Sequence, residues 1–310
     1  MNQKIATVFG GSGFIGRHLI RRLTKLDYRI IIATRSPYLS GFLKPLGGSG
    51  EVELIKTNIY DLENIKKVVQ NSNIVINLVG ILYENKKQKF NYIHSEFPKI
   101  LSSICNELSI EKLIHVSALG VKENHNSRYM QSKLMGEQNI INNFKSPVIL
   151  RPSIIFGPED KFFNKFASLS QFSPALPLIG GGKTLFEPVY VEDVADAIVK
   201  SLKEDYEGVR VYELGGDRYS FKELMEILLT EIKKKRLLIP ISFGFAKFQS
   251  YFLQLMPNPL LTPDQVELLK HNNVVSGEHP NLKELGITGT PIQSILPKYI
   301  YRFRTGGQFG

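Results

Sequence analysis

Cysteine is nearly absent: Cys105 stands alone among 310 residues, so no intramolecular disulfide framework can form and nothing requires an oxidising compartment. No apolar run approaches the ~20 residues needed to cross a bilayer. The amino terminus passes at once into a strand-like segment, without a signal-peptide pattern. A cytoplasmic protein, free or peripheral, is expected. The six histidines show no metal-ligand spacing and no cysteine pair accompanies them, which argues against a metal site. Repeats and low-complexity tracts are also lacking, and 43% apolar with 22% charged residues is an ordinary globular composition. Acidic side chains are the scarcer sign, 29 against 39 Lys and Arg, for a net charge of +10. That surplus permits nucleotides, anionic lipid surfaces or acidic proteins as partners and does not choose among them. Nucleic acid is not expected, because neither a binding motif nor an aromatic platform accompanies the charge.

What is present is alternation. Residues 5–10 form a short apolar run feeding a glycine-rich turn, and residues 14–26 then carry Phe14, Ile15, Leu19, Leu23 and Leu26 at helical spacing. Strand-like segments recur at 29–35, 52–58, 74–80, 112–118 and 147–153, with helical candidates at 61–70, 90–108 and 127–144. This order predicts an α/β protein, a Rossmann-type doubly wound parallel sheet covered by helices on both faces. After Arg151 prolines and the triplet 180–182 interrupt the pattern. A helix at 191–202 and a strand at 209–214 then look like a return to the sheet, and Ser220 with Glu223 predicts a capped helix start. The expected division is a dinucleotide-binding domain from 1–157 plus 188–214. A small interleaved carboxyl-terminal lobe, 158–187 plus 215–310, would sit over the carboxyl ends of the strands.

Gly10, Gly11, Ser12, Gly13, Phe14, Ile15 and Gly16 (GGSGFIG) satisfy both glycine spacings used to bind dinucleotides, between a strand and an amphipathic helix. Early glycines allow close approach of backbone to pyrophosphate, and the helix amino terminus offers N–H groups to it. At the end of the second strand, where an acidic residue would bind the ribose of NAD(H), the chain has Thr34 and Arg35. Arg35, with Arg17, suits a 2′-phosphate, so NADP(H) is expected, with NAD(H) the alternative.

Tyr129 and Lys133 (YMQSK) lie four apart on a predicted helix, hence on one face. A lysine ammonium there would stabilise tyrosinate and fit the phenol for proton transfer. Chance alone supplies about one such pair in this composition, and the chain has two. The other, Tyr83 with Lys87, falls where no helix is evident. Ser117, at the end of the fifth strand, completes a candidate catalytic set, with a turn-forming serine as the plain alternative.

GGSGFIG, NLVG (77–80), HVSALG (115–120), YMQSK with Gly136 and Glu137, LRPSIIFGPED (150–160), PVYVEDVADAI (188–198) and LTPDQVELL (261–269) together resemble the atypical, extended short-chain dehydrogenase/reductase family, which is NAD-dependent epimerase/dehydratase-like. Within it the likeness is strongest to the branch holding the NAD(P)H-binding accessory subunits of respiratory complex I and their bacterial relatives. The resemblance implies that nucleotide also meets Asn58, Ile59, Val79, Gly80, Lys133, Arg151 and Pro152, and that Ser117, Tyr129 and Lys133 match the superfamily's catalytic set. Phe9, Asn58 and Ala118 depart from the enzymes' usual residues. The implied role is a nucleotide held for structure or assembly, in association with complex I or quinone metabolism. The alternative is an active NADP-dependent oxidoreductase or epimerase whose small-molecule substrate no signature identifies. Peripheral attachment to the inner face of the inner membrane goes with the first role. Residues 241–256 are the candidate docking helix, for complex I or a membrane surface, with Lys247, Ser250 and Gln254 as polar positions and a wide apolar remainder. Burial of that helix inside the small lobe is the competing expectation.

Overall fold

The computed structural model describes residues 3–123, 125–203 and 206–306. Six strands come first: β1 (Ile5–Phe9), β2 (Arg29–Thr34), β3 (Val52–Lys56), β4 (Ile74–Asn77), β5 (Lys112–Val116) and β6 (Val148–Pro152). Short strands β7 (Ile155–Phe156), β8 (Ala175–Ile179), β9 (Leu185–Phe186) and β10 (Val189–Tyr190) precede β11 (Arg210–Leu214), and β12 (Tyr219–Ser220) and β13 (Leu237–Ile241) follow it. One sheet of seven parallel strands runs β3-β2-β1-β4-β5-β6-β11, with the order reversing beside β1. The strand expected at 209–214 therefore closes the edge next to β6. Such a reversal opens a crevice at the carboxyl ends of the strands, where doubly wound sheets hold ligands.

Both faces of the sheet are covered, and the period of two along each strand divides its side chains between two cores. Val8, Ile32 and Ile76 face α1 (Phe14–Thr24) and a later helix at Val191–Lys203. Phe9, Ala33 and Val75 face α2 (Leu62–Val69), α3 (Phe97–Glu107) and α4 (Arg128–Asn143). A third core forms around Phe156, Phe163, Phe221 and Leu296, from α5 (Phe163–Phe172), β8 and the carboxyl-terminal residues. The helix at Val191–Lys203, α6, explains why PVYVEDVADAI is acid-rich. His18 Nδ1 and Glu192 are 2.6 Å apart, the Arg22 guanidinium holds Asp196, and Asp193 accepts from the Thr290 N–H and hydroxyl at 2.7 and 2.9 Å. These bonds fasten α6 to α1 and bring the carboxyl-terminal segment onto it.

The helix expected over 90–108 is not continuous α-helix. Residues Asn91–Glu96 form a π turn, closed by the Phe97 N–H on the Tyr92 carbonyl, and α3 begins only afterwards. Pro98 supplies the reason: it has no N–H for the His94 carbonyl, and its ring excludes that carbonyl from the ordinary position. Beyond α7 (Phe221–Glu231), whose Ser220–Glu223 capping box matches the sequence pattern, come α8 (Phe243–Leu253) and α9 (Pro263–Leu268). Among the described residues no helix is long and apolar enough to cross a membrane.

Candidate nucleotide-binding cleft

The glycine turn is built of backbone pressed on backbone. Gly10 has φ +79°, and a Cβ there would meet the Leu78 carbonyl carbon at 3.0 Å, just before Val79 and Gly80. At Gly16 a Cβ would lie 2.3 Å from the Gly11 carbonyl oxygen, so the first turn of α1 seats directly on the strand-to-helix turn. Gly13 caps α1 with no side chain over its end, and the first helical turn holds no acid. The amino-terminal N–H groups beside Ser12, Phe14 and Ile15 thus face a cradle that suits a pyrophosphate.

Arg35 and Asn58, at the ends of β2 and β3, line a shallow cavity of about 490 Å³ with Lys56, Thr57, Asp61 and Asn64. The β2–β3 register places Lys56 opposite Thr34, next to Arg35, so Lys56 joins Arg35 in lining the cavity, a cation the sequence did not single out. Asp61 is committed to α2, accepting the Asn64 N–H at 3.1 Å, and the Asn58 side chain accepts from the Tyr60 N–H. Ile59 offers its carbonyl to the Tyr92 hydroxyl at 2.6 Å. Arg17 pairs with Glu159 at 3.0 Å and lies over the Phe42 ring.

A polar cluster lies at the ends of β4 and β5. Lys133 is buried, donates to the Val116 carbonyl at 3.1 Å, and stands 3.5 Å from where a Gly80 Cβ would be. Burial pushes its ammonium down to about 8, with Glu137 opposing. Ser117, next along the chain from Val116, is buried, and its hydroxyl has no partner among the described residues. Tyr129 is held by its ring, edge-on to His94 at 5.2 Å and to Phe90 at 5.7 Å. Burial first, and Asp264 second, push its phenol up from the usual range. That is opposite to the tyrosinate stabilisation expected from the Tyr129–Lys133 spacing.

His94 and Asp264 were not evident in the sequence. The Ile81 N–H donates to His94 Nε2 at 3.1 Å, so Nδ1 carries the proton toward Ser132, 3.0 Å away. Burial, with Lys133 and His115 beside it, pushes the imidazole down to about 2, which keeps it neutral. Its carbonyl, displaced by the π turn, fills the space at Gly136, where a Cβ would be 1.9 Å away. Pro98, four residues after His94, and a glycine inside α4 were the available signals. Asp264, in the LTPDQVELL motif, accepts from the Ser127 hydroxyl at 2.8 Å and the Arg128 N–H at 2.7 Å, so α9 caps the helix that carries Tyr129 and Lys133. Arg151 lies in a buried pair with Glu137, bonded at 2.6 to 3.2 Å, and Pro152 accepts the Leu119 N–H.

Comparison with known proteins agrees with this architecture. NADH dehydrogenase (ubiquinone) 1 alpha subcomplex subunit 9, a mitochondrial protein of Arabidopsis thaliana, is 33% identical over 98% of this chain and 79% of its own. The Mus musculus protein of the same name is 32% identical over 97% of this chain and 81% of its own. The fold matches dTDP-glucose 4,6-dehydratase from Streptomyces venezuelae, solved with NAD bound, at a TM-score of 0.72 and 17% identity over 96% of each chain. The protein is thus a relative of complex I accessory subunits on an NAD(P)-binding fold, and with residues 6–215 matching the family's sequence model it belongs to the NAD dependent epimerase/dehydratase family.

Proposed function

We propose that this protein holds NADP(H) as a structural nucleotide in its amino-terminal sheet unit (1–157 with 188–214) and serves respiratory complex I as a peripheral, associated subunit. The small lobe (158–187 with 215–310) then presents the contact segment 241–256. One observation carries the structural role: burial and Asp264 drive the Tyr129 phenol away from ionisation, while the Lys133 ammonium gives one of its three N–H bonds to the Val116 carbonyl. When bound, the nucleotide would supply hydride chemistry, while burial and Asp264 hold the phenol that would manage the proton above its usual range. The preference for NADP(H) rests on Arg35 and Lys56, whose charges suit a 2′-phosphate. Kinship with the complex I subunits supports the association. The unpartnered Ser117 hydroxyl favours the second reading, an active oxidoreductase or epimerase on an unidentified small molecule.

Calorimetric titration and melting with NADPH and NADH test this. NADPH at a hundredfold excess over Kd should add about 2.7 kcal/mol of stability. Arg35→Asp should weaken NADPH by roughly tenfold or more and leave NADH nearly unchanged. Gly13→Val should abolish both effects, and Tyr129→Phe should alter neither. A substrate whose NADPH-linked turnover disappears in Tyr129→Phe would decide for the enzyme.

A further inference from the structure

Helix α8 packs by its small side. Ala246 and Ser250 are buried, with Ala246 against Val266 of α9 and Ile179 of β8. Its large side faces out: Phe245, Phe248 and Phe252, at i, i+3 and i+7, are 54, 61 and 62% exposed, and Leu255, just past its end, is 80% exposed. Burial of this helix in the small lobe, one of the two expectations, thus fails for the residues that would have filled a core. Phe248 and Phe252 touch each other, ring centroids 5.4 Å apart. The apolar surface continues along β13, where Leu237 and Ile239 point outward.

Charge identifies what covers it. Residues 232–263 contain Lys233, Lys234, Lys235, Arg236 and Lys247 and not one Asp or Glu. The Lys–Arg run stands at one end of β13 and α8 at the other. Arg236 and Lys234 are anchored on the Ser170 carbonyl and the Gln171 side chain, which fixes the run in place, and Lys235 is exposed. The cores of protein interfaces are depleted in lysine. A segment of aromatic and aliphatic side chains whose own charges are all cations, with the neighbouring acid Glu267 nearly buried, matches the boundary between anionic headgroups and acyl chains. With 11 residues, α8 spans about 16 Å, half the hydrocarbon thickness, so it would lie in that boundary and not cross it.

We infer that the face formed by β13 and α8, with the Lys233–Arg236 run beside it, seats on an anionic phospholipid surface. The inference rests on the proposed peripheral association and names its partner. The full chain is to be sedimented with protein-free vesicles of phosphatidylcholine alone, or of equal parts phosphatidylcholine and phosphatidylglycerol, at low and high salt. Roughly tenfold or greater preference for the anionic vesicles is expected, lost as salt rises. Phe248→Ser with Phe252→Ser should weaken binding by roughly a hundredfold, and Lys235→Glu by roughly tenfold. Both variants should keep the wild-type melting curve, since the altered side chains are exposed. Failure of the wild type to bind anionic vesicles, variants that bind as the wild type does, or binding only to membranes that carry complex I would overturn the inference, the last in favour of a protein partner. A nucleotide-induced melting shift, measured on the same samples, separates the two readings: vesicle binding without that shift supports the docking face and refutes the nucleotide.

Discussion

Replacing Gly136 by alanine tests whether the π turn at Asn91–Glu96 and helix α4 are built for one another. Judged by helix propensity, Gly136→Ala in the middle of α4 should stabilise the protein by about 1 kcal/mol. The structure predicts the reverse, because the new methyl would lie 1.9 Å from the His94 carbonyl oxygen. Ordinary contact needs well over an ångström more, and the obstacle is backbone. Overpacking of this kind costs about 1–3 kcal/mol. Moving His94 also strains its bonds to the Ile81 N–H and the Ser132 hydroxyl, each worth about 1 kcal/mol. Net destabilisation of about 2–4 kcal/mol follows once the propensity gain is subtracted. At roughly 2–4 °C per kcal/mol, melting should fall by on the order of 10 °C. Pro98→Ala gives the partner experiment. It returns an N–H to the His94 carbonyl and removes the ring that displaced it, so the carbonyl can withdraw from α4. The double variant should be more stable than the sum of the single effects by at least about 1 kcal/mol in urea unfolding. A neutral or stabilising Gly136→Ala, or an additive cycle, would refute the reasoning.

Two further outcomes follow from buried groups. Lys133 loses its proton near pH 8 when folded and near 10.5 when unfolded, so between those values the unfolded chain binds more protons and stability rises with pH. The melting temperature of wild type relative to Lys133→Met should therefore climb from pH 8 to pH 10, and a flat difference would show that the ammonium is not buried as described. Asp264→Ala removes the acceptor for the Ser127 hydroxyl and for the Arg128 N–H. It should cost about 1–2 kcal/mol in urea unfolding, with Asp264→Asn recovering most of it, and equal losses in the two variants would count against a capping role.

What was legible in the sequence is what local chain geometry decides. Gly10 to Gly16 could be read because the turn's close contacts are with residues of the turn itself and with the neighbouring strand. The parallel sheet could be read because apolar strands alternate with amphipathic helices. Lys56 could not, since only the Thr34–Lys56 register brings it beside Arg35. His94 was hidden for a related reason: its spacing fits an α-helix, and the π turn that redirects it comes from Pro98 and is accommodated by Gly136, forty-odd positions away. The capping role of Asp264 likewise required α9 to meet α4, 137 residues apart at Ser127. For α8, hydropathy counted apolar positions without ranking them by size. Packing chose the close approach that Ala246 and Ser250 allow and left the phenylalanines outside. The same principle runs through the polar cluster, where spacing brought Tyr129 and Lys133 to one helix but long-range neighbours set their protonation. Burial and Asp264 raise the phenol, and burial lowers the ammonium. A motif can therefore keep its family spacing while residues outside it, Asp264 among them, raise the proton affinity of its phenol.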